Sequence, residues 1–184
     1  ALRLTDYGNS MQPDVERLVA DSADAIFVSP FENAGHGALD RIGIPLIECA
    51  DYMETTPLGR AEWMRFYGRL WGCAERADSL MAAETEQYES LYRKVAAARE
   101  TAPTLLIDRK EGAVWYVPGG DSYLAALYRD AGARYVFAAH RGAGSVALDV
   151  ETVLAEGRAA DLWVIKYGAA ADLTLSALAA DNPL

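Results

Sequence analysis

Aromatic and charged side chains gather in the segments that follow short apolar runs. Phe31, Glu32 and Asn33 come after Ala25-Ile26-Phe27-Val28, and Asp51, Tyr52 and Glu54 come after Leu46-Ile47-Glu48-Cys49. Arg109, Lys110, Trp115 and Tyr116 surround the turn after Thr104-Leu105-Leu106-Ile107-Asp108, with His140, Arg141, Lys166 and Tyr167 beyond. Aromatic faces can stack on flat rings, while Arg and Lys can offset carboxylates or phenolates. That chemistry is recognition rather than turnover. Trp115 reads equally well as a core residue of its strand, and Tyr52 as a side chain packed on the central helices. Metal-ligand spacing is absent, because His36 and His140 lie far apart and a third ligand would have to be a carboxylate such as Glu32 or Asp51. No GxGxxG follows a strand, no P-loop occurs, and Gly142-Ala143-Gly144-Ser145 resembles a nucleophile elbow only superficially. Cys49 paired with His36 would make a nucleophile and its base, yet Glu48-Cys49 reads as the end of a buried strand. An α/β, hydrolase-like enzyme is therefore the alternative reading.

Positioning such residues requires strands that end at one edge. Apolar runs of strand length (25–28, 46–49, 104–108, 113–117, 134–138 and 161–165) alternate with helical stretches, which predicts parallel sheets with helices on their faces. Binding loops then lie at the carboxyl ends of the strands. Residues 1 to 6 are a further candidate strand, Tyr7 to Ser10 a turn, and residues 170–179 an Ala-rich helix. Between the two α/β patterns lies a helical stretch from Thr56 to Thr101. Apolar residues recur every three or four places from Leu58 to Trp71, Gly72 interrupts them, and the period resumes from Ala74 with no Gly or Pro before Pro103. A helix from Ala74 to Arg99 would be roughly 39 Å long. The expected division is an N-terminal lobe over 1–72, a linking helix over 73–101 and a C-terminal lobe over 102–184.

The chain has 184 residues, 52% of them hydrophobic, and a formal net charge of −10. Such an acidic balance argues against a nucleic-acid surface, and no apolar run reaches the roughly 18 residues of a membrane span. Cys49 and Cys73 form neither a CxxC motif nor a disulfide framework, and read as unlinked thiols or, with suitable geometry, as one disulfide.

An internal repeat completes the picture. Pro13-Asp14-Val15-Glu16 with Asp24-Ala25-Ile26-Phe27-Val28 reads almost like Leu148-Asp149-Val150-Glu151 with Asp161-Leu162-Trp163-Val164-Ile165. Together with Gly43-Ile44-Pro45-Leu46-Ile47, the run from Glu54 to Trp63, and Trp115-Tyr116-Val117-Pro118-Gly119-Gly120-Asp121-Ser122-Tyr123, it resembles the periplasmic substrate-binding proteins of ABC importers that carry iron-siderophores, haem or cobalamin. Thr56-Pro57-Leu58-Gly59-Arg60 resembles the Bacteroidetes branch in particular. The resemblance implies two parallel-sheet α/β lobes joined by one long α-helix, the class III arrangement, in a periplasmic monomer, soluble or lipid-anchored, without a cofactor. It implies an iron chelate, haem or corrinoid as ligand, for which the segments after the strands offer Phe31, Glu32, Asp51, Tyr52, Glu54, Arg109, Trp115, Tyr116, Arg141 and Tyr167. It further implies an ABC permease that meets Glu16 and Glu151, which read otherwise as solvated first-turn glutamates. Set against that family, the chain is expected to be a fragment, incomplete in both lobes. A binding lobe used for sensing is the remaining alternative.

Overall fold

A computed structural model describes residues 5–9, 12–30, 35–97, 102–166, 174, 176–177 and 180. Contacts gather into two compact units, Ala1–Ala50 and Asp51–Leu184. In the first, β1 (Gly8–Asn9) and β2 (Gln12–Pro13) form an antiparallel pair where the sequence suggests only a turn. Of the strand expected over residues 1 to 6, residues 1–4 lie outside the described residues, and Thr5 and Asp6 are irregular. Helix α1 (Val15–Ala20) starts where the Asp14 carboxylate accepts the Arg17 N–H at 3.0 Å, and it buries Leu18. Strand β3 (Ile26–Val28) runs parallel to β4 (Leu46–Glu48), with Ile26 opposite Leu46, and a 3-10 helix (Gly37–Arg41) stands between them in sequence.

The second unit opens with a 3-10 turn (Asp51–Met53), then α2 (Pro57–Leu70) and α3 (Ala74–Ala97). Thr56 caps α2 by accepting the Gly59 N–H at 3.1 Å, and Pro57, which has no N–H to satisfy, fills its first turn. The break expected at Gly72 is present: its φ of 65° is the left-handed geometry that ends a helix cheaply only at glycine. Helix α3 has 24 residues, roughly 36 Å; the expected extension to Arg99 falls on residues 98–101, outside the described residues.

Beyond α3, β5 (Thr104–Ile107) lies between β8 (Arg134–Tyr135) and β10 (Leu162–Val164) in a parallel sheet, with α4 (Tyr123–Asp130) and α5 (Val150–Gly157) among them in sequence. A second sheet is antiparallel, with β7 (Val114–Pro118) between β6 (Lys110–Glu111) and β9 (Ser145–Leu148). The sequence places the turn-like 109–112 between strands over 104–108 and 113–117 and so suggests a hairpin; an antiparallel pair is present, but the partners of β7 are β6 and β9, while β5 joins the parallel sheet. The two sheets share a core of Ile107, Trp115, Val117, Tyr135, Phe137 and Val153. Two buried polar tips stitch it: Trp115 Nε1 donates to the Ile107 carbonyl at 2.9 Å, and the Tyr135 hydroxyl donates to the Pro118 carbonyl at 2.6 Å. Burial in that core raises the Tyr135 pKa well above its ordinary value. The strand expected over 134–138 stops at Tyr135; Phe137 is fully buried from a turn rather than from a ladder. Most of the helix expected over 170–179 lies outside the described residues.

Candidate ligand site

The ends of β5, β7 and β10 and the start of α4 converge on a cavity of about 140 Å3 whose lining includes Tyr52, Asp108, Ser122, Tyr123, Ser145 and Lys166. Asp108, the residue directly after β5, adopts a φ of 63°, uncommon outside glycine. Its carbonyl accepts Trp163 Nε1 at 2.7 Å and its carboxylate pairs with Lys166 Nζ at 3.0 Å, which locks the ends of β5 and β10 together. On the far side, the loop 118–122 interlocks with the loop 140–144. Gly119 N–H donates to the Gly144 carbonyl at 2.8 Å, Gly120 N–H to the His140 carbonyl at 2.7 Å, and Gly142 N–H to the Asp121 carboxylate at 3.1 Å. Two glycines are required there, because a Cβ at 119 would lie 2.2 Å from the Gly142 oxygen and one at 120 would lie 2.1 Å from the Ala138 oxygen. Ser122, buried, then caps α4 by accepting the Ala125 N–H at 3.2 Å.

The turn before α2 closes this arrangement. Tyr123 N–H donates to the Glu54 carbonyl at 3.0 Å, and Trp63 Nε1 donates to the Glu54 carboxylate at 2.8 Å. Arg60 pairs through Nε with Asp51 at 3.2 Å, donates through Nη1 to the Tyr123 hydroxyl, and stacks 4.3 Å from the centre of that ring. Asp51, Tyr52 and Glu54 are thus brought together. A larger groove of about 800 Å3 runs along α2, α3 and α4, but Trp63, Tyr67, Trp71, Leu80 and Leu127 make its lining mainly apolar. The first unit holds another cavity of about 800 Å3, which includes Tyr7, Phe27 and His36. The smaller cavity is the candidate because the Asp108–Lys166 ion pair, two tyrosines and two serines converge on it at strand ends, a combination neither larger hollow offers.

The sequence-derived residues fall in different places. Arg141 is exposed and pairs with Asp121 at 2.6 Å, beside Ser122. Arg109 follows Asp108 directly, and Tyr116 points outward from β7. Trp115 is only 6% exposed, and its ring lies 5.9 Å from that of Trp163. Phe31, Glu32, Asn33 and Tyr167 lie outside the described residues. Glu16 and Glu151 occupy the same place in their own helices, exposed in the first turn, two residues after the capping aspartates Asp14 and Asp149. His36 faces the Glu48 carboxylate at 3.1 Å and His140 faces Glu156 at 3.0 Å. Cys49 directs its thiol at the Ile47 carbonyl, and both cysteines are free. Asp108, Ser122, Tyr123, Arg60 and Trp63 escape a search for loop aromatics and charges. Their signal is positional: one directly follows a strand, two open a helix, and two lie in the first two turns of α2.

A family model described as periplasmic binding protein matches residues 2–179. An uncharacterized lipoprotein of Methanocaldococcus jannaschii is 26% identical over 98% of this chain and 43% of its own length. A periplasmic haem-binding protein of Pseudomonas aeruginosa matches with a TM-score of 0.68 and 22% identity, over 96% of this chain and 63% of that one. A siderophore-binding protein of Vibrio cholerae, solved with Fe3+-Desferal, matches with a TM-score of 0.67 and 14% identity, over 91% and 64%. The chain therefore spans less than two thirds of the length of these proteins. It belongs to the periplasmic binding protein family, and its fold is the class III type, in which α/β lobes with parallel sheets are joined by a long α-helix.

Proposed function

We propose that this chain is the solute-capturing part of an extracytoplasmic ABC-importer component, which binds an iron chelate, haem or corrinoid and delivers it to a membrane permease without altering it. The reading rests on one observation above all: within a periplasmic binding protein family member, Tyr52 and Lys166, the latter paired with Asp108, line one cavity at the carboxyl ends of β5, β7 and β10. We assign the ligand to Asp51, Tyr52, Glu54, Arg109, Tyr116 and Arg141 together with Phe31, Glu32 and Tyr167, with Trp115 supporting them from the core. Lobes over 1–72 and 102–184 joined by 73–101, a monomeric state, and a periplasmic location with or without a lipid tether complete the proposal. Among the described residues no helix is long and apolar enough to cross a membrane. Glu16 and Glu151 are assigned to permease docking. Titration of the protein with cobalamin, haemin and ferric siderophores, followed by tryptophan emission, tests the reading. A saturable change with one ligand class and no chemical product is the expected result, and silence with all three would overturn it.

A further inference from the structure

The cluster that closes the cavity ties α2 to α4 through the turn that carries Tyr52. Arg60 makes three contacts at once: its Nε on Asp51 at 3.2 Å, its Nη1 on the Tyr123 hydroxyl, and its guanidinium face 4.3 Å from the Tyr123 ring centre. Glu54 spans the same gap from the other direction, its carbonyl taking the Tyr123 N–H at 3.0 Å and its carboxylate the Trp63 indole N–H at 2.8 Å. Tyr52 sits between the two acids so anchored and lines the cavity with Asp108, Ser122 and Lys166. A three-residue 3-10 turn has little internal hydrogen bonding to hold itself, so its position is set by these side chains. A planar fork that is paired and stacked at once also loses less freedom per bond than an ammonium would.

We propose that Arg60, Trp63 and Tyr123 act as a clasp that positions Tyr52 over the cavity and slows ligand release. Arg60 and Trp63 are positioning residues that do not line the cavity, whereas Tyr123 also lines it, so Arg60→Lys is the variant that reads the clasp alone; the proposal rests on the binding function argued above. Both helices belong to the compact unit Asp51–Leu184, so the clasp acts within it.

Two mild variants separate the contributions. Tyr123→Phe keeps the ring under the guanidinium and removes only the hydroxyl; Arg60→Lys keeps the charge for Asp51 and removes the fork. Hydrogen exchange of the amides of residues 51–56 reads the clasp without any ligand, and stopped-flow release of haemin and of ferric desferrioxamine reads its consequence. In Arg60→Lys, exchange over 51–56 is expected to rise about tenfold, as for loss of a charge-assisted hydrogen bond, with a smaller rise in Tyr123→Phe and none over 104–107 or 114–118. Dissociation of whichever probe binds should quicken by a similar factor while association stays constant. Unchanged exchange in both variants would overturn the clasp, and faster exchange with unchanged release would overturn its role in retention. If neither probe binds the parent protein, the binding function with these ligands fails, while the exchange measurement still decides whether the clasp orders the turn.

Discussion

Two aspartates contribute to how the second unit responds to acid. Asp149 accepts the Thr152 N–H at 2.7 Å and the Thr152 hydroxyl at 3.1 Å, and these bonds hold its carboxyl below the ordinary carboxylate range. Asp161 is likewise lowered, chiefly by the Thr104 N–H at 2.7 Å. In each case the folded pKa lies below the unfolded value near 3.8, so the stability gained is fully present above that value and is lost as pH falls through the folded one. The thermal midpoint should therefore drop below about pH 4, and the Asp149→Asn, Asp161→Asn double variant should show a shallower drop; identical acid limbs by circular dichroism would contradict the assignment. The sequence reads these residues correctly as a repeat, Asp-Val-Glu in both halves, because helix caps have a composition signal. It is silent about Asp108 and Tyr123, whose roles come from long-range pairing with Lys166 and Arg60 that no local pattern encodes.

At the scale of elements, the long helices and the break between them are legible because periodicity and Gly72 are local signals. Strand β9 is not, since its four residues follow a Gly-rich loop and contain one β-branched side chain. It forms because β7 offers Trp115, Tyr116, Val117 and Pro118 as antiparallel partners for Leu148, Ala147, Val146 and Ser145. That pairing, in turn, brings the loop 140–144 against the loop 118–122 at a separation only glycine permits. The predicted sensitivity is specific to position. Gly120→Ala would force a methyl to 2.1 Å from the Ala138 carbonyl oxygen, backbone that cannot swing aside, and should cost about 3 kcal/mol in urea unfolding. Gly144→Ala meets nothing within 4 Å and should stay within about 0.5 kcal/mol of the parent. Equal losses in the two variants would show that the interlock is not what holds the loops.

For the whole molecule, the proposed docking role rests on how the repeat is placed. Each copy is an aspartate-capped helix that buries one apolar residue, Leu18 or Val153, and presents a first-turn glutamate, Glu16 or Glu151. The burial fixes which face of the helix looks outward, so the glutamate is presented by the fold rather than by a mobile loop. A carboxylate at that position is favoured by the helix dipole in any protein, which explains one such residue but assigns no role to the matched pair. The proposed docking on arginines of a permease would assign one, through charge-assisted hydrogen bonds at two points. The discriminating experiment compares uptake with binding in the Glu16→Lys, Glu151→Lys protein. Docking requires that uptake in cells or proteoliposomes fall to background while the affinity for the ligand in solution is unchanged. Uptake at the parent level would leave the glutamates as solvated helix starts, and a parallel loss of affinity would place their effect on the fold or the ligand rather than on the permease.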